Sequence, residues 1–301
     1  MYCPLCKSDE IKKIETVSSK RLLILYKKLT KIDFSYLLDD DLRYCECQNC
    51  KLKYYDPLIT GDETFYNTLQ QFDWYYMHDK DEFLQAKKYI NSDDRVLEVG
   101  SGKGAFAKYL PNQHYVGLDF SVKAKDMAAK DGVLIKNEMV QDYAAKNPES
   151  VDIVVSFQVL EHVSDPKSFI EAKLCALAIG GKMIIAVPSE DSFLKYVDNN
   201  ILNMPPHHVT RWSDETLKFV ADKYNLELLD IYHEKLQDVH KQYYLNTLIQ
   251  NSLPNNKFFS ISLVKKFFSM FTRVFSRFLL KGLTDEMLPN GHNVLAVYRK
   301  K

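Results

Sequence analysis

Long apolar runs are missing from this chain: nothing approaches the ~18 uninterrupted apolar residues that a membrane-spanning helix needs. The opening MYCPLCKSDE has no basic-then-apolar leader and no small-residue cleavage site, so the expectation is a cytosolic protein. Net charge is missing too. The 40 basic and 40 acidic side chains cancel, and no surplus of cations awaits a nucleic-acid backbone. Glycine and proline number ten each, too few for a linker-rich or low-complexity chain. Beyond residue 50, cysteine occurs only at Cys175. What is there is an apolar fraction of 46%, ordinary for a folded core, in 301 residues. That length suits one large domain, or one domain plus a small one.

Cysteine is concentrated at the start, where Cys3, Cys6, Cys45, Cys47 and Cys50 all lie within the first fifty residues. A reducing compartment disfavours disulfides, so such clustering reads as metal binding. Cys3-Pro-Leu-Cys6 and Cys47-Gln-Asn-Cys50 are two C-x2-C pairs, which together can close a tetrahedral thiolate site around Zn2+. Four thiolates leave no open position, so the site reads as structural, and Cys45 is a spare. The alternative is a set of small buried thiols without metal. A segment this short and polar folds poorly on its own core, which favours the ion.

Three regions follow: a cysteine-rich zinc-binding domain over 1–60, an aromatic-rich helical connector over 61–90, and a larger domain over 91–301. Leu22, Leu23, Leu25 and Leu29 among lysines predict a short amphipathic helix between the cysteine pairs. The aromatics of FYNTLQQFDWYY (65–76) read as packing, and 80–90 as helical. From residue 91 apolar strands alternate with helices. Strands are expected at 95–99, 114–119, 133–136, 151–156, 182–187, 226–231 and 293–299. Helices are expected at 103–110, 121–130, 166–179 and 213–224. This alternation predicts an α/β domain with a mainly parallel sheet and helices on both faces.

The first of these strands ends in Glu98-Val-Gly100-Ser101-Gly102-Lys-Gly104. Glycines in a strand-to-helix turn let a ligand approach the backbone and permit conformations closed to other residues. The spacing is G-x-G-x-G rather than the G-x-G-x-x-G of dinucleotide binders, which disfavours an NAD-dependent oxidoreductase. The second strand ends at Asp119, followed by Phe120; a carboxylate there can accept two hydrogen bonds from a ribose diol. Its other reading is a helix N-cap.

With the later segments VDIVVSFQVLEHVSDP (151–166) and GGKMIIAVP (180–188), the chain resembles the class I S-adenosylmethionine-dependent methyltransferases, in their small-molecule branch. Its start is similar to the zinc-binding domain that precedes some members. The resemblance covers about residues 91–301 and implies a Rossmann-like seven-stranded sheet with an antiparallel final hairpin. It implies that Gly100, Ser101, Gly102 and Gly104 wrap the methionine part of S-adenosylmethionine. Glu98 would sit near the amino group, and Asp119, with Phe120 beside it, would hold the ribose. Met139 and Val140 would edge the adenine, while Phe157 and Gln158 would face sulfonium and acceptor. A nucleic-acid amino-methyltransferase would carry [DN]-P-P-[FY] where Ser156-Phe157-Gln158-Val159 stands.

A hydroxyl acceptor needs a base, and His162, His207 and His208 are the candidates because imidazole titrates near neutrality. The competing readings are a loop-fixing residue for His162 and a helix cap for one of the pair. The acceptor expected from family neighbours is small or lipid-linked, with O-methylation of a saccharide precursor first. C- or O-methylation of a quinone-like or polyketide substrate is the alternative. A noncatalytic zinc-ribbon binding module that retains a cofactor fold is the rival from another class. Finally, 257–281 has the pattern of a basic amphipathic helix: a surface packed on the sheet or a dimer contact, or a peripheral contact with an anionic membrane. Residues 239–284 hold seven Lys or Arg and no acid, so the rest of the chain nets −7.

Overall fold

The computed structural model describes residues 1–69, 71–72, 81–110, 114–197, 200–251, 276 and 283–301. The basic segment 257–281, apart from Ser276, and positions 70 and 73–76 of the aromatic run lie outside the described residues.

The N-terminal region builds β1 (Ile11–Val17), α1 (Ser19–Thr30), β2 (Leu42–Cys47), β3 (Lys53–Asp56), α2 (Glu63–Leu69) and α3 (Asp81–Lys87). The amphipathic leucine pattern is realised in α1, which buries Leu22 and Tyr26 and stops at Lys31, a left-handed residue whose N–H bonds the carbonyl of Lys27. After it come β4 (Val96–Val99), β5 (Tyr115–Leu118), α4 (Val122–Lys130), β6 (Ile135–Lys136), α5 (Val140–Lys146) and β7 (Val151–Phe157). The chain closes with α6 (Pro166–Ala176), β8 (Leu177–Pro188), β9 (Thr210–Arg211), α7 (Asp214–Lys223), β10 (Leu226–Lys235), α8 (Asp238–Asn251) and β11 (Asn290–Lys300).

Seven strands form one sheet in the order β10-β11-β8-β7-β4-β5-β6. The pairs among β4 to β8 are parallel, and β11 runs antiparallel between β8 and β10. Alternate residues serve opposite faces. Leu97, Val99, Val154 and Ile185 pack with Tyr143, Ile170 and Leu217 of α5, α6 and α7. Val96, Ile153, Val155 and Ile184 pack with Phe83 of α3 and with Phe106. This is the expected Rossmann-like α/β layer structure.

Two local expectations are corrected. Residues 103–110 form no α-helix: Ala105–Tyr109 is a 3-10 turn, because left-handed Gly104 at its start does not feed α-helical geometry. The helix expected to reach 179 ends at Ala176. Leu177 is already in the sheet opposite Val151, and Gly181 lets the strand pass within contact of the Asp152 carbonyl.

The small sheet has the order β1-β2-β3-β9, so its fourth strand comes from beyond residue 200. Tyr54 pairs with Thr210 and Lys53 with Arg211, and the N–H of Tyr55 bonds the carbonyl of Val209 at 3.0 Å. Arg211 is 4% exposed and stacks its guanidinium over Tyr44 and Tyr55. The Tyr26 hydroxyl donates to the carbonyls of Ile201 (2.6 Å) and Met204 (3.0 Å). The N-terminal sheet therefore grips the loop that carries His207 and His208.

Candidate functional site

β4 is buried along its whole length and delivers the chain into a turn built on left-handed glycines, Gly100 (φ 75°), Gly102 (φ 53°) and Gly104 (φ 73°). The N–H groups of Gly100 and Ser101 bond the carbonyl of Leu118 at 2.8 and 3.0 Å, so the end of β5 holds the turn. Asp119 completes the grip. Its Oδ2 accepts from the Gly102 N–H at 2.7 Å and its Oδ1 from the Ser121 N–H at 2.8 Å. The N-cap of α4 is Ser121, whose Oγ accepts from the Ala124 N–H, so the capping reading of Asp119 does not hold. Each carboxylate oxygen has a second lone pair that a diol can use.

A Cβ on Gly102 would meet nothing within 4 Å, whereas one on Gly100 would strike Val159 Cγ2 at 2.3 Å. The turn is thus open on one side, where a ligand can reach the backbone, and closed on the other. Ser101 is buried beneath it, its Oγ 3.4 Å from the Leu118 carbonyl. Glu98 is buried and accepts a hydrogen bond from the Tyr115 hydroxyl. Phe120 and Met139 are exposed along the same edge, while Val140 turns into the core.

After β7, Gln158 takes a left-handed φ of 56° and its Nε2 donates to Glu82 Oε2 at 2.8 Å. Phe157 does not present an open face. Its ring is 5% exposed and packs against Phe83 and Phe106, each with centroids 4.8 Å away, because the alternation of β7 sends it into the α3 layer. The three candidate histidines do converge, with ring centroids 4.4–4.7 Å apart. Burial pushes His162 down to about 4. It pushes His207 down to about 3, helped by the His162 charge, and lowers His208 as well. Burial thus favours the neutral imidazole in all three.

Sequence reasoning missed several neighbours. Tyr66 places its hydroxyl 3.3 Å from His162 Nδ1. Glu161, 1% exposed, sits between Leu160 and His162 just after β7. Near Glu82, a cleft of about 610 Å3 opens at the carboxyl end of β10, lined by Asp81, Tyr232, Glu234, Lys241, Glu286 and Asn290 among others. No spacing motif linked these positions.

A family model described as a methyltransferase domain matches residues 70–231, more than half of the chain. The chain belongs to the class I S-adenosylmethionine-dependent methyltransferases. An uncharacterised protein of Methanocaldococcus jannaschii is 36% identical over 115 residues, 38% of this chain and 54% of that protein. A ubiquinone biosynthesis O-methyltransferase of Klebsiella pneumoniae is 32% identical over 100 residues, 31% of this chain and 41% of that protein. The chain thus spans about half the length of the curated relatives it matches. The methyltransferase fold is shared with a SAM-dependent methyltransferase from Archaeoglobus fulgidus. That match has a TM-score of 0.51 at 16% identity and covers 79% of this chain and all (100%) of that one. The glycine cradle, buried Glu98 and Asp119 fit the cofactor such methyltransferases use: open room over Gly102, and carboxylates for an amine and a diol.

In the methyltransferase's N-terminal region, the sulfurs of Cys3, Cys6, Cys47 and Cys50 lie within 4.8 Å of one another. The two halves match: Lys7 (φ 63°) and Lys51 (φ 59°) each follow a C-x2-C pair and bond back to the first cysteine's carbonyl at 3.0 Å. Cys45 points elsewhere, its sulfur 3.9 Å from that of Met1. This four-thiolate donor set fits zinc. No helix among the described residues is long and apolar enough to cross a membrane.

Proposed function

We propose that the protein transfers a methyl group from S-adenosylmethionine to a polar small-molecule acceptor, most simply a hydroxyl of a saccharide precursor. The observation that carries the transfer reading is the glycine turn tied through Gly102 to Asp119 and open on its ligand side. The cofactor, when bound, supplies a methyl already attached to a sulfonium leaving group, so the protein's task is alignment. In this reading the Gly100–Gly104 backbone accommodates the methionine portion and Glu98 faces its amino group. Asp119 holds the ribose, and the exposed Phe120 and Met139 border the base. Gln158, fixed by Glu82, stands on the acceptor side with Phe157 supporting it from the core.

The cleft beside β10 supports this acceptor class. Asp81, Glu234, Lys241, Glu286 and Asn290 in its lining can hydrogen-bond the hydroxyls of a polyhydroxylated molecule, beside an apolar wall of Tyr232, Leu236, Leu288 and Pro289. Burial, with Glu82 and Asp81 nearby, pushes the Glu234 carboxyl upward, and its Oε2 has no hydrogen-bond partner among the described residues. A carboxyl so raised is our candidate for the group that takes the acceptor's proton. Zinc in the four-thiolate cluster would hold the N-terminal sheet together.

The test is methyl transfer from labelled cofactor to sugar nucleotides and, in parallel, to quinol-like lipids. Transfer to the first and not the second is expected; the reverse order overturns the acceptor class. Asp119→Ala should weaken S-adenosylhomocysteine binding by roughly tenfold or more, about the worth of one charge-assisted hydrogen-bond pair. Glu234→Gln should lower kcat and leave that affinity intact. Cofactor binding with no turnover on any acceptor would favour a noncatalytic binding module.

A further inference from the structure

We propose that His162, His207 and His208, with the Glu161 carboxylate beside them, form a second metal site that takes a divalent first-row transition ion such as zinc. One ring nitrogen from each histidine lies within 4.8 Å of the others. The tautomers are fixed by what Nδ1 touches: the carbonyl of His207 for His162 (2.6 Å), the carbonyl of Leu202 for His207 (2.7 Å), and the amide oxygen of Asn203 for His208 (3.0 Å). These oxygens only accept, so each Nδ1 carries the proton and each Nε2 carries the lone pair. A ring tied through one nitrogen to an oxygen and offering the other is the usual arrangement of a metal-ligating histidine.

Glu161 supplies the anionic donor. Its Oε1 is 3.7 Å from His162 Nε2 and 3.9 Å from His208 Nε2. Those separations are too long for hydrogen bonds. They lie close to the ~3.4 Å between two ligands that share a tetrahedral ion through bonds of about 2.1 Å. Neutral imidazole is the form that ligates a metal. Imidazole with one carboxylate suits zinc, ferrous iron or cobalt rather than magnesium or calcium.

The backbone holds the two contributing loops in register. The Val209 N–H bonds the Glu161 carbonyl at 2.8 Å, and the N–H groups of His207 and His208 both bond the carbonyl of Met204 at 3.0 Å. Val159, which closes the underside of Gly100, is two residues before Glu161. An ion here would fasten the loop after β7 to the loop before β9, beside the cofactor turn. The proposal goes beyond the methyl-transfer reading, and its readout is metal content, so the two stand or fall separately.

Untagged, never-chelated protein should contain about two metal ions per chain, one on the thiolates and one on the histidines. After a mild chelator has emptied the histidine site and left zinc on the thiolates, titrated Co2+ should add one equivalent. That equivalent should show ligand-field bands and no thiolate-to-metal charge-transfer band. In the His162→Gln/His208→Gln variant this signal should vanish and the zinc count fall to one. If the variant fails to fold, the wild-type Co2+ spectrum decides alone. One zinc per chain with no Co2+ signal of this kind, or a signal that survives in the folded variant, overturns the proposal.

Discussion

A methyl group at Gly100 and a methyl group at Gly102 would fail for different reasons. Both positions are left-handed, which costs a non-glycine residue about 1–2 kcal/mol. At Gly102 that is the whole folding penalty, because the added carbon meets no neighbour. At Gly100 the carbon also strikes Val159. Gly100→Ala should therefore destabilise more than Gly102→Ala in urea melts, and Val159→Ala should recover part of the difference in a double-mutant cycle. S-adenosylhomocysteine affinity should fall most for Gly102→Ala, whose new carbon occupies the ligand's side of the turn. Equal stability losses without recovery would mean that Val159 yields freely.

At the scale of elements, helix α6 carries an unusual passenger. Lys173 is fully buried, its ammonium donating to Ser156 Oγ of β7 at 2.7 Å. Burial lowers its pKa well below the ordinary value. The unfolded chain binds this proton up to about pH 10.4, whereas the folded chain releases it earlier, so stability rises with pH between the two values. As pH falls through the folded value that contribution is lost. Replacing both partners, Lys173→Met with Ser156→Ala, should raise the melting temperature at pH 7 and flatten the alkaline rise. A variant that is less stable at pH 7 would show the lysine to be a net stabiliser.

The same scale explains what the sequence made legible. Strands β4, β5 and β7 announce themselves by apolar runs ending in Gly100, Asp119 and Gln158, so the strand ends and the glycine turn could be read directly. The C-x2-C spacing likewise marked Cys3, Cys6, Cys47 and Cys50. Strand β9 could not be read: two residues, Thr210 and Arg211, have no periodicity, and their partner strand lies far upstream. The meeting of Tyr66, His162 and His207 depends on that pairing and so was equally hidden. Phe157 was misplaced because a strand tip and a core position look alike until the facing layer is known.

For the whole molecule, the cysteine-rich region is not a detachable appendage. Its sheet contains β9, its Tyr44 and Tyr55 cover the guanidinium of Arg211, and its Lys53 pairs with Glu190 at 2.8 Å. Deleting residues 1–60 would strip the buried Arg211 of Tyr44 and Tyr55, which cover its guanidinium. That variant should aggregate or melt well below the full chain, and proteolysis should cut first within 201–212. A soluble variant with the full chain's melting temperature would contradict the shared-strand account.

The borrowed strand also sets an order of events during synthesis. Tyr54 emerges from the ribosome long before its partner Thr210, and about 155 residues must be added in between. At ordinary elongation rates that interval is roughly 10–30 s. Throughout it, β3 is an uncovered sheet edge with both C-x2-C pairs already made. An edge left open is a template for wrong pairing. Early closure of the thiolate cluster would keep the waiting module compact until its last strand arrives.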